Sequence, residues 1–134
     1  MQEWRSEICL LLADLHLARF GIPPELSERL KNIRLVAPEK VVLSCCIKLG
    51  DPTADVRWYR SGKVFKIFRE IFNDEKYEMR RDGDMLSLII AVSEATDSAI
   101  YRCEAVNKFG KVQTESSLVV QRTYHCLSAV VFGW

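Results

Sequence analysis

The chain has 134 residues, enough for one domain with its own core and little more. Apolar residues make up 49%, charged residues 28%, and the formal net charge is +1. That is ordinary globular composition; it excludes the basic footprint of a nucleic-acid or anionic-membrane binder and names no partner.

Along the chain, Gln2 to Arg19 places Trp4, Ile8, Leu11, Leu12 and Leu15 at helical spacing, which predicts an amphipathic helix. Gly21 and the Pro23-Pro24 pair stop it. Its apolar run, Ile8 to Ala13, is preceded by Glu3 and Glu7 and closed by Asp14, so it lacks the basic front and long apolar centre of a secretory leader. No run approaches the ~20 apolar residues that cross a bilayer.

The period then changes. "VVLSCCIKL" sets Val41, Leu43, Cys45 and Ile47 against Val42, Ser44, Cys46 and Lys48. "DVRWYR" pairs Val56 with Trp58, and Ser61-Gly62 turns the chain. "RRDGD" is a tight-turn signal between "KYEM" and "MLSLII", in which Leu86, Leu88 and Ile90 share a face. "DSAIYRCEAVN" puts Ala99, Tyr101, Cys103 and Ala105 on one side, and "TESSLVV" gives a last strand with Leu118 and Val120 inward. Seven or more short strands separated by turns predict an all-β antiparallel sandwich.

Cys45, Trp58 and Cys103 each lie on the apolar side of a predicted strand, and Tyr101 stands two residues before the second cysteine. With "LSC" (Leu43 to Cys45), "VRWYR" (Val56 to Arg60), "LSLII" (Leu86 to Ile90) and "DSAIYRCEAVNKFG" (Asp97 to Gly110), this resembles an immunoglobulin domain of the I-set. The resemblance is to the domains of giant muscle proteins of the titin, twitchin and obscurin type and of palladin-like proteins. The family's last motif runs Asp-x-Gly-x-Tyr-x-Cys-x-Ala-x-Asn-x-x-Gly; here Ala99 replaces the first glycine. The resemblance covers residues 23–121, leaving 1–22 as the helical extension and 122–134 as an apolar tail. It implies a core signature of Trp58, Leu88, Asp97 and Tyr101, and a Cys45–Cys103 pair able to form a disulfide worth roughly 3–5 kcal/mol. Whether that bond forms depends on compartment, since reduced cysteines also pack as small hydrophobes.

Three features favour an intracellular, sarcomeric or cytoskeletal location over the cell surface or extracellular space. The five cysteines are an odd number, with Cys46 pointing away from the core; Asn32, Asn73 and Asn107 form no glycosylation sequon; and no leader is evident. Nothing predicts catalysis, a cofactor or a metal. His16 and His125 lie at opposite ends, and Cys9, Cys46 and Cys126 show no zinc-ligand spacing. "RRDGD" reads as a solvated turn.

The resemblance therefore implies a non-catalytic structural and protein-binding module, docking cytoskeletal partners or adjacent immunoglobulin or kinase domains. The alternatives are an extracellular adhesion or receptor domain and a regulatory domain flanking a muscle kinase. "KVFKIFREIF" is richer in apolar residues than one strand edge needs. Its Phe65, Phe68 and Phe72 follow helical spacing, while the upstream turn favours a strand. They either pack on the domain's own sheet or helix, or form a partner surface with charges at its rim.

Overall fold

The computed structural model describes residues 21–62 and 67–122. The helix expected over Gln2–Arg19, Phe65, and the tail beyond residue 122 lie outside the described residues.

Among the described residues, nine strands form two sheets. One holds β1 (Glu25–Glu28), β3 (Val41–Lys48), β7 (Met85–Ile90) and β6 (Tyr77–Asp82), in that spatial order. The other holds β2 (Ile33–Val36), β9 (Gly110–Gln121), β8 (Ala99–Asn107), β4 (Asp55–Ser61) and β5 (Phe68–Ile71). A 3₁₀ turn, Ala95–Asp97, precedes β8. Pairing is antiparallel except where β2 runs parallel to β9, which departs from a wholly antiparallel sandwich. The chain leaves the first sheet after β1 and joins the second at β2, so the edge of each sheet is filled by one stretch of chain.

Period-two patterning explains the layers. Along β3, Val41, Leu43, Cys45 and Ile47 are buried while the residues between them face outward. Leu43 lies opposite Leu88 and Cys45 opposite Leu86. In the second sheet Ile71, Trp58, Cys103 and Thr114 form one cross-strand row on the inner face. The inner faces interlock into a single core in which Trp58 is 2% exposed. The β6–β7 hairpin turns on Gly83, whose φ of 62° suits the two-residue loop.

Side chains fix the two poles. At one, the Tyr101 hydroxyl donates to the Asp97 carbonyl at 2.6 Å, joining the 3₁₀ turn to β8. Asp97 is itself buried; its carboxylate meets Lys76 Nζ at 2.9 Å and accepts from the Glu94 amide at 2.7 Å. At the other pole Asn107 donates to the Ile22 and Pro52 carbonyls and accepts from the Phe109 amide. Gly110 sits against Pro23, where a side chain would collide, which gives the Asn-x-x-Gly spacing a physical reason.

Trp58→Ala removes the largest core side chain and should cost roughly 3–5 kcal/mol, a large share of the ~5–15 kcal/mol that holds a small domain. Urea denaturation of the variant should show a much lower midpoint, or no folded baseline.

Candidate functional site: the β5 edge

The β4–β5 hairpin is closed by the Gly62 amide donating to the Ile67 carbonyl at 2.8 Å. Its register places Ser61 opposite Phe68, Arg60 opposite Arg69, Tyr59 opposite Glu70 and Trp58 opposite Ile71. Successive side chains alternate in direction. Ile71 turns inward and is buried beside Trp58, and Arg69 points to the same side; Phe68 and Glu70 turn to the outer face.

That outer face is a ladder of paired charges. Arg57 meets Glu70 at 3.6 Å and Asp55 at 3.3 Å. Tyr59 donates to Glu104 at 3.2 Å, and Lys111 reaches the same carboxylate group at 3.2 Å. Partial burial, then the Glu104 carboxylate, raises the Tyr59 hydroxyl above its ordinary range. Arg102 donates to Glu115 at 2.7 Å and lays its guanidinium 3.8 Å from the centre of the Phe68 ring. The charges of this face thereby satisfy one another, while Ile67 and Phe72, flanking β5 at its two ends, are 57% and 66% exposed.

The aromatic residues singled out from sequence thus part company. Phe68 is half-buried under Arg102, Phe72 stands in solvent, and Phe65 lies outside the described residues. Over Phe68–Ile71 the chain is a strand, so the helical spacing of the phenylalanines does not describe it. Cys45, Trp58, Leu88, Tyr101 and Cys103 are all buried in the core. Both core cysteines are free and lie close together in this structure; the neighbouring Cys45 thiol, then burial, pushes the Cys103 thiol far up. Cys46 lies on the outer face of the other sheet, where desolvation and then the Glu28 carboxylate raise it. Among the described residues no cluster of three or more His, Cys, Asp or Glu is placed to hold a metal ion.

Sequence reasoning expected charges around the aromatic stretch but missed the cluster that Arg60 forms beside it. Arg60 donates to the Tyr77 hydroxyl at 3.1 Å and to the Thr96 carbonyl, and lies 3.8 Å from the Asp97 carboxylate. No sequence signal identifies that cluster, because it joins strands of different sheets. Asp97, at the head of the "DSAIYRC" motif, was the only pointer to it.

Comparison with known proteins agrees with this architecture. Residues 24–120 match the family model described as the immunoglobulin I-set domain. The chain is 32% identical over 98 residues to titin of Drosophila melanogaster, covering 73% of this chain, and 31% identical over 102 residues to the cardiac-type myosin-binding protein C of Gallus gallus, covering 76%. It is likewise 32% identical over 103 residues to the cell adhesion molecule Dscam1 of Drosophila melanogaster, covering 74%. The matched region spans only 0%, 8% and 5% of those three proteins. Among solved structures, titin domains Z1Z2 in complex with telethonin align with a TM-score of 0.69 at 29% identity, covering 77% of this chain and 49% of that one. The titin tandem A164-A165 aligns at 0.65 with 34% identity, covering 75% and 48%. The Cys-Trp-Cys core, the Tyr101 corner, the two-sheet strand order and the family match converge: the chain belongs to the immunoglobulin I-set family.

Proposed function

We propose that this domain is a non-catalytic structural and protein-binding module of an intracellular muscle or cytoskeletal protein, and that it docks a protein partner at the β5 end of its five-stranded sheet. The observation that carries the reading is the pairing of Ile67 and Phe72, both largely exposed, with half-buried Phe68 on an edge strand. The charges on the adjoining face satisfy one another, so what remains to be buried there is apolar and aromatic. An exposed aromatic and aliphatic pair beside a half-buried ring, with charges around them, suits the anchor-and-rim pattern of a small protein interface. The likeness to titin and myosin-binding protein C supports the muscle setting, in which the sandwich also acts as a spacer between neighbours. Fold alone does not fix that role.

A second reading, an extracellular adhesion domain, is favoured by the equal likeness to Dscam1. The two differ in redox chemistry. Buried Cys45 and Cys103 stay reduced in a cytosol and become a disulfide in a secreted protein.

Two measurements test these statements. Phe68→Ser combined with Phe72→Ser should lower stability by no more than about 1–2 kcal/mol, since it removes one exposed ring and one ring held by a surface cation–π contact. The double variant should remain folded and lose its principal partner in pull-downs from the tissue that expresses it. A large fall in stability without a partner-specific loss would leave the domain a spacer. Separately, rapid alkylation in the native cell followed by mass spectrometry should find Cys45 and Cys103 as thiols; full oxidation of the pair would select the extracellular reading.

A further inference from the structure

The inner side of β5 carries an arrangement that the aromatic surface does not explain. Arg60 and Arg69 lie directly opposite each other in the β4–β5 ladder, so their side chains leave the sheet on the same side. Like charges in that relation destabilise a strand pair unless an anion lies nearby. Arg60 is supplied: the Asp97 carboxylate, the Thr96 carbonyl and the Tyr77 hydroxyl all receive it. Arg69 is exposed, and its side chain makes no hydrogen bond or ion pair with the described residues. The neighbouring residues 63–66, "KVFK", hold no carboxylate either.

Both arginines line an open groove of about 440 Å³, with Phe72 and Tyr77 among its walls. The carboxylate of Asp74, also at the groove, accepts from the Lys76 and Tyr77 amides at 2.7 and 2.9 Å and is committed to its own turn. Glu70 also borders the groove, but its carboxylate is taken on the other face by Arg57 at 3.6 Å.

The backbone beside the groove is open as well. Because Gly62 and Ile67 form a hydrogen-bonded pair, antiparallel alternation makes Arg60–Arg69 and Trp58–Ile71 the bonded pairs. The peptide groups of Phe68 and Glu70 therefore face away from β4, at an edge that no described strand pairs with. A chain laid along that edge would set one side chain across from Arg69, on the groove side.

We propose that the β5 edge binds an extended acidic segment of a partner protein, with an aspartate or glutamate carboxylate held by the Arg69 guanidinium beside Arg60. The guanidinium fork takes a carboxylate through two parallel hydrogen bonds, and the new anion relieves the repulsion between the two arginines. Phe72 covers the flanking side chain of the added strand. This inference rests on the reading of the domain as a protein-binding module and adds the chemistry of the segment that it takes. An unpaired arginine on an edge strand also discourages edge-to-edge aggregation, which is the competing explanation for Arg69.

The test uses the isotope-labelled full chain and a short β-prone peptide with a single central glutamate, compared with the same peptide carrying glutamine. Amide shifts should be confined to Phe68–Asp74, and affinity should fall as salt rises. Replacing the glutamate by glutamine, or Arg69→Gln in the protein, should each weaken binding by roughly tenfold, and Arg69→Gln should leave the melting temperature of the free protein no lower. Equal binding of the two peptides, insensitivity to Arg69→Gln, or no shift along β5 at millimolar peptide would each overturn the proposal. If the peptide fails while the Phe68→Ser, Phe72→Ser variant still loses its partner, the protein-binding reading stands and the acidic-segment inference falls.

Discussion

The meeting of Cys45 with Cys103 at the centre of the sandwich is the contact on which the rest of the fold depends. It joins β3 of one sheet to β8 of the other. Trp58 lies directly beside Cys103 in register and Leu86 directly beside Cys45, so each sheet presents one small and one large side chain at the midpoint. Close packing then sets which residues point inward along every strand, because a one-residue slip would turn the whole apolar set to solvent. The alternation in β3, β7, β8 and β9 follows from that single alignment.

A second constraint acts at the pole where the 3₁₀ turn enters β8. The buried Asp97 carboxylate draws Lys76, beside β6, and Arg60, from β4, toward one point between the sheets. A buried carboxylate persists only when paired and hydrogen-bonded, and here the Glu94 amide completes the set. The clamp commits Arg60 to the interior side of the hairpin and leaves Arg69 across from it with no partner among the described residues. The same hairpin carries Phe68 on its other face, under Arg102. The features that set the β5 edge apart thus arise from the way the core is closed beside it, while among the described residues the edge itself is attached through β4 alone.

Strands whose two faces differ in environment were legible in the sequence. Val41 to Lys48 and Ala99 to Asn107 alternate because one face meets the core and the other meets water, and Met85 to Leu88 follows the same rule before Ile89 and Ile90 are both buried. Short edge strands were not. Glu25–Glu28 is mostly exposed and Ile33–Val36 half so, and at four residues each they are too short for a period to stand out. The parallel β2–β9 pairing was equally hidden, since it depends on the chain changing sheets between β1 and β2. In "KVFKIFREIF" the phenylalanines fit a helix as well as a strand, and only pairing with β4 decides between them. The opposition of Arg60 and Arg69 requires a known register, which no sequence pattern supplies.

The central claim is that a cooperative core, centred on Cys45, Cys103 and Trp58, carries an edge strand that is free to serve as a surface. Residue-resolved hydrogen exchange under native conditions measures this separation directly. Amides of β3, β7 and β8 should exchange only through global unfolding, whereas the outward-facing amides of Phe68 and Glu70 should exchange orders of magnitude faster. Protection of Phe68 and Glu70 as strong as that of the central strands would contradict it, since that edge would then already be covered.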